Sequence, residues 1–123
     1  MQIIMGVTSV LITGYPKFSN FENNVSEKIL LLLKEIDFGK IRIFTELLSV
    51  DEFGSKFTAN KIKSGETFDV IIHLGFSSKS TKIRFEKYAY NEYKMSKPDN
   101  SGRCISNGEI IDNQKEKYQT NID

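Results

Sequence analysis

The sequence predicts an open α/β sheet whose helices serve as crossovers. Three observations carry this. Short β-rich segments alternate with amphipathic, capped ones in the order β-α-β-α-β-β. Phe68–Gly75 (FDVIIHLG) is almost continuously apolar, as a central parallel strand buried on both faces would be. The composition is that of one ordinary globular domain: 123 residues, 39% apolar and 27% charged.

Val7–Gly14 (VTSVLITG) reads as strand one, ended by a glycine. Tyr15–Asn24 carries Pro, Ser and Asn and reads as a loop. Asn24 is placed to cap a helix, with Glu27 as its capping-box partner. Val25, Ile29, Leu32, Leu33 and Ile36 form its expected apolar face, and Gly39 its stop. Lys40–Leu48 alternates and is read as strand two. Ser49 and Glu52 repeat the capping pattern ahead of a second helix. Its expected stripe is Phe53, Phe57 and Ile62, with Lys61 and Lys63 suited to its C-terminal dipole and Ser64-Gly65 as its end. Lys82–Tyr90 alternates again and reads as a half-exposed strand. From Ser96 to Asp123 the chain is polar, with turns at Pro98-Asp99-Asn100 and Asn107-Gly108.

Several function classes are disfavoured. Seventeen basic residues against sixteen acidic ones leave a net charge of +1, no basis for nucleic acid or an anionic membrane as partner. The longest apolar run, Ile29–Leu33, is far short of the about 20 residues a bilayer span needs. Met1–Val10 lacks the basic start and cleavage pattern of a signal peptide. Cys104 is the sole cysteine, so no internal disulfide forms and a reducing, cytoplasmic setting is expected. No His, Cys and carboxylate cluster has metal-ligand spacing, so neither metal nor cofactor is expected.

In an α/β sheet, ligands bind beyond the carboxyl ends of the strands. That nominates Gly14–Asn20, Gly75–Ser80 and the neighbourhood of Glu86. Tyr15 and Phe18 either plug the edge of the core or wall a flat apolar pocket. Gly14 opens a turn where dinucleotide-binding proteins place theirs, but G-x-G-x-x-G is absent and Pro16 removes an N–H. His73, the sole histidine, lies within an apolar strand and reads as a packed, hydrogen-bonded core residue. A Cys104–His73 nucleophile pair is the competing reading. Taken alone, Glu86 reads as a solvated strand charge.

Four segments taken together resemble the pyroglutamyl peptidase I family of cysteine peptidases. Val10–Phe18 (VLITGYPKF) is similar to its opening strand and Gly-Phe-x-x-Phe loop. Asp69–Gly75 (DVIIHLG) is similar to its third strand. Ile83–Asn91 (IRFEKYAYN) is similar to its I-x-x-E-[RK]-x-A-x-N signature, in a eukaryotic-like form. Pro98–Gly102 is similar to its PDN-x-G turn. The segments stand in order at matching distances.

The resemblance implies a three-layer α/β/α sandwich with a mixed, twisted sheet, formed here by a single domain over residues 1–123 that is incomplete at its C-terminus. It also implies an activity, removal of N-terminal pyroglutamate from peptides by a thiol-dependent omega peptidase. In the family a cysteine thiolate attacks the pyroglutamyl carbonyl, a histidine acts as base and acid, and a glutamate completes the set. Glu86 matches that glutamate. Tyr15 and Phe18 match the two aromatics that hold the lactam ring. Cys104 and His73 do not match the family's cysteine and histidine, which lie downstream of Asp123 in the family pattern. The chain is therefore expected to be inert alone, or to act as a non-catalytic binding module, with self-association through an uncovered sheet edge. Tyr15 for Phe, the order Pro16-Lys17, the Phe76–Lys79 loop and Lys97 before Pro98 depart from the pattern.

Overall fold

The computed structural model describes residues 6–18 and 22–121. Residues 1–5 of the Met1–Val10 segment and residues 19–21 of the expected Tyr15–Asn24 loop lie outside them. The chain forms two compact units, one reaching to Phe76 and one starting at Ser77. No helix among the described residues is long and apolar enough to cross a membrane.

The first unit holds β1 (Thr8–Gly14), α1 (Val25–Leu33), β2 (Ile41–Leu47), α2 (Glu52–Lys63) and β3 (Val70–His73). The three strands are parallel in the order β2-β1-β3. Leu11 stands opposite Phe44 and Ile71, and Thr13 opposite Glu46 and His73. The central strand is therefore β1, not the Phe68–Gly75 segment expected there. Burial agrees: Val10–Gly14 is buried throughout, whereas Val70, Ile72 and His73 are exposed. A continuous apolar run shows that both faces of a strand are apolar; it says nothing about which strand lies in the middle.

Side chains alternate across a strand. Val10 and Ile12 point one way and pack with Leu30 of α1, joined by Leu33, Ile43 and Leu74. Leu11 and Thr13 point the other way, with Glu46, Ile71 and His73 as register partners. Lys61 of α2 reaches Glu46 on that face at 3.8 Å. The helices thus flank opposite faces. Right-handed crossovers that step first one way, from β1 to β2, and then the other, from β2 past β1 to β3, require this.

Asn24 caps α1 as expected, but its side chain accepts from the Ser26 N–H (3.0 Å) and the Ser26 hydroxyl (2.6 Å) rather than engaging Glu27. The buried face also differs from the expected stripe: Ser26 and Leu30 are buried, while Val25, Leu32 and Ile36 are exposed. Five consecutive apolar residues, Ile29–Leu33, surround the whole helix, so periodicity could not select the face. Helix α1 ends at Leu33, capped by Lys34. Gly39 stands beyond it, with φ +65°, in the turn that leads into β2.

The α2 cap is Asp51, which accepts from the Gly54 N–H (2.9 Å) and the Ser49 hydroxyl (2.6 Å). Ser49 orients the cap instead of forming it. Gly54 and Thr58 are the buried residues of α2; Phe53, expected in its stripe, is 70% exposed, and Ile62 is exposed too. A Cβ on Gly54 would fall 1.7 Å from the Ser49 carbonyl oxygen, so the bare glycine, not a large side chain, faces inward there. Ser64 caps the end, and Gly65 turns the chain with φ +103°.

The second unit pairs β4 (Tyr88–Tyr90) antiparallel with β5 (Lys117–Gln119). The expected Lys82–Tyr90 strand is thus only three residues long. Its alternation had no face to bury against: Ile83 is 93% exposed and Phe85 83%. The polar C-terminal stretch is more ordered than its pattern suggested. Asn91 brackets Ile111 with two hydrogen bonds of 2.8 Å. Asp99, buried, accepts from the N–H and hydroxyl of Ser101 and from the N–H and Nε of Arg103. Desolvation acts to raise the Asp99 pKa, but these hydrogen bonds outweigh it and hold the carboxyl below its ordinary value.

Candidate active site

In the first unit the chain leaves β1 for β2 on one side and reaches β3 on the other. The carboxyl ends of β1 and β3 therefore flank a topological switch point, where α/β sheets open a crevice. Three residues of that crevice were not singled out together by sequence reasoning: Thr13, Gly14 and Ser26.

Thr13 has no exposed surface, and its Oγ1 lies 2.6 Å from Nδ1 of His73. The bond follows from the register, which sets the last polar residue of β1 beside the last residue of β3. His73 is hydrogen-bonded, as expected, but its ring is not sealed inside a core: the residue is exposed at the strand edge. Desolvation by its surroundings lowers its pKa, which favours the neutral imidazole. A sequence-level signal existed in retrospect, since Thr13 and His73 each end a β-rich run.

Gly14 lets helix α1 approach. A Cβ there would meet the Ser26 carbonyl oxygen and Leu30 Cδ1, each at 3.0 Å. One residue on, the Tyr15 N–H donates to the Ser26 hydroxyl at 2.9 Å, and that hydroxyl sits 3.3 Å from the Tyr15 carbonyl. Since Ser26 is also held by Asn24, the loop after β1 is fastened to the first turn of α1. Tyr15 is half-buried, and burial raises its phenol pKa. Together with Leu48, Thr58, Ile62, Ile71 and His73 it lines an open cavity of about 630 Å³ on the α2 face. Phe18, in the same loop, is half-buried.

In the second unit, Glu86 is exposed on the irregular segment just before β4, and Arg84 lies 3.4 Å from its carboxylate. The Asp99 turn fixes Pro98–Gly102 from within. Cys104 is exposed, with its thiol 3.6 Å from the Met95 carbonyl. Tyr15 and Phe18 thus share one loop of the first unit, while Glu86 and Cys104 belong to the second. Among the described residues, no group of three or more His, Cys, Asp or Glu side chains is arranged to hold a metal ion.

The sequence pattern of the pyroglutamyl peptidases matches residues 8–123, nearly the whole chain. The chain belongs to the pyroglutamyl peptidase family. Among its relatives is the pyrrolidone-carboxylate peptidase of Pyrococcus furiosus, 29% identical over 102 residues, which are 83% of this chain and 49% of the relative. Solved structures agree. The pyrrolidone carboxyl peptidase of the keratin-degrading bacterium Fervidobacterium islandicum AW-1 superimposes with a TM-score of 0.83 at 31% identity, covering 91% of this chain and 54% of that one. That of P. furiosus superimposes with a TM-score of 0.82 at 28% identity, with the same coverage. The chain therefore spans about half the length of the pyroglutamyl peptidases it matches, and the α/β fold is theirs.

Proposed function

We propose that this chain supplies the lactam-recognising loop and the acidic residue of a pyroglutamyl peptidase, and that the 123 residues do not hydrolyse peptides by themselves. Both units serve one peptidase domain in this account, and its substrate is a peptide beginning with pyroglutamate. The observation that carries it is the family match over residues 8–123, which includes the Gly14–Phe18 loop at the switch point of the sheet.

Tyr15 and Phe18 are the residues assigned to the pyroglutamyl ring. A flat, uncharged five-membered lactam suits a slot between aromatic faces. Glutamate, the open-chain form, would bring an ionised carboxylate into an apolar site, at a desolvation cost of several kcal/mol by order of magnitude. The anchoring of Tyr15 to Ser26 supports a preformed slot, since the loop backbone is held before any ligand arrives. Glu86 is assigned the family's acidic role, orienting and stabilising the histidine as it takes the nucleophile's proton.

The nucleophile and base have no counterparts in these residues. The Cys104 thiol lies 3.6 Å from the Met95 carbonyl oxygen. Nδ1 of His73 is engaged by Thr13, and the ring serves the sheet end. Without a thiolate and a proton acceptor placed together, the carboxylate of Glu86 cannot open an amide. The purified chain should release no fluorophore from a pyroglutamyl-coumarin amide. Turnover that disappears on alkylation of Cys104 would show that this cysteine is the nucleophile after all. A second reading, a binding module that retains pyroglutamyl peptides without cleaving them, shares the Tyr15 and Phe18 site. It differs only in having no hydrolysis with any added partner.

A further inference from the structure

We propose that the first unit carries a second ligand site, on the α2 side of the sheet towards the amino-terminal ends of β1 and β2. Its ligand is a short apolar peptide with a free amino group and a free carboxylate.

The site begins with the pattern of β2. Residues two apart share one face of a strand. Arg42, Phe44 and Glu46 therefore follow one another along the face towards α2: a cation, a ring and an anion in line. All three line a cavity of about 360 Å³. Pockets for small ligands run from about 300 to 1,000 Å³. Leu11 of β1, 2% exposed, and Phe68, from the segment that enters β3, complete an apolar floor. The Phe44 and Phe68 rings meet edge to face with centroids 5.9 Å apart, yet Phe44 stays 43% exposed where it lines the cavity.

The charges around this floor do not cancel locally. Lys61 of α2 lies 3.8 Å from Glu46 and 3.4 Å from Glu66, so one ammonium serves two carboxylates and a negative charge is left over. Arg42 carries the compensating positive charge, but its guanidinium has no hydrogen-bond or ion-pair partner among the described residues. The two charges lie apart, since Arg42 and Glu46 are separated along the strand by about 13 Å between Cα atoms. Opposite charges at the two ends of an apolar floor select a ligand of the same layout. Its carboxylate meets Arg42, its ammonium meets Glu46 and Glu66, and an apolar body lies between. An inorganic anion would satisfy Arg42 but leave the rings and the surplus carboxylate unused. A free amino acid holds both charges on one residue, too close together to reach both ends. Two or three residues of peptide span about 7–10 Å, and the Arg42 and Glu66 side chains are long enough to close the remainder. The site is separate from the lactam loop, which leaves β1 at its carboxyl end, so either assignment can fail without the other.

The experiment titrates the ¹⁵N-labelled 123-residue chain with leucyl-leucine and follows its amide shifts. Saturable shifts at Leu11, Phe44 and Phe68 are the expected result. N-acetyl-leucyl-leucine lacks the ammonium and leucyl-leucinamide lacks the carboxylate. Each should bind at least about tenfold more weakly, the worth of one charge-assisted hydrogen bond. Arg42→Gln should bind leucyl-leucine and leucyl-leucinamide alike, and Glu66→Gln should lose the preference over the acetylated peptide. Both residues are exposed, so neither change disturbs the core, and circular dichroism verifies folding. Absence of saturable shifts at Leu11, Phe44 and Phe68, or equal binding of the free and the blocked peptides by the parent chain, overturns the proposal. Acetate binding as tightly as leucyl-leucine at the same residues would reveal an anion site only and overturn the choice of ligand.

Discussion

Replacing Gly14 by alanine tests how tightly the loop after β1 is clamped. The added Cβ would lie 3.0 Å from Leu30 Cδ1, 3.0 Å from the Ser26 carbonyl oxygen and 3.2 Å from Leu30 Cγ. Ordinary contacts begin near 3.4 Å, so α1 must retreat by several tenths of an ångström. Neither neighbour yields easily. Leu30 is 4% exposed and packs with Val10 and Ile12, and the Ser26 oxygen is helix backbone. Overpacking of this kind costs about 1–3 kcal/mol. In a chain of this size each kcal/mol lowers the melting temperature by about 4 °C. The retreat also strains the bond from the Tyr15 N–H to Ser26, so the loop should exchange its amides faster. Urea and thermal unfolding followed by circular dichroism measure the loss. Gly75→Ala is the control, because its Cβ would meet nothing within 4 Å. A Gly14→Ala protein within about 0.5 kcal/mol of the parent, the range of a neutral surface change, would refute the clamp.

Thr13→Val keeps the shape of the residue and removes the hydroxyl facing His73, so stability should fall by about 0.5–1.5 kcal/mol in urea. Imidazole ¹⁵N shifts should change with it. The depressed pKa of His73 makes the unfolded chain the better proton acceptor, so stability should decline as pH falls through the ordinary histidine value of 6.5 and level off below the folded-state pKa. His73→Gln should remove that slope from melting temperatures measured across the range. Asp99, depressed in the folded chain, contributes stability above the ordinary carboxylate pKa that is lost as pH falls through its own. Asp99→Ala should speed amide exchange at Ser101 and Arg103, while amides of the parallel sheet stay unchanged.

The order of the first five elements was legible because each was bounded by a local signal: glycine after β1, Asn24 before α1, Ser64-Gly65 after α2. What local pattern could not reveal was which side of each element met another. Ile29–Leu33 is apolar all round, and only contact with Val10 and Ile12 selected Leu30. The apolar run ending at His73 suggested a central strand, whereas pairing placed β1 in the centre. Alternation in Lys82–Tyr90 found a strand partner only at Tyr88–Tyr90, and Lys117–Gln119 became a strand only because it lay opposite those three residues. At the site, Tyr15 and Phe18 were visible as aromatics at a strand end. The Thr13–His73 bond was not, since it joins residues sixty positions apart through register alone.

The most direct test of the proposed lactam site is an NMR titration of the ¹⁵N-labelled chain with a pyroglutamyl dipeptide amide, using the matching glutamyl dipeptide as reference. Saturable shifts at Gly14, Tyr15 and Phe18 with the pyroglutamyl peptide, weaker with the glutamyl one and lost in Tyr15→Ala, are the predicted result. A folded chain whose β1 loop resonances do not move, or move equally for both peptides, would contradict it.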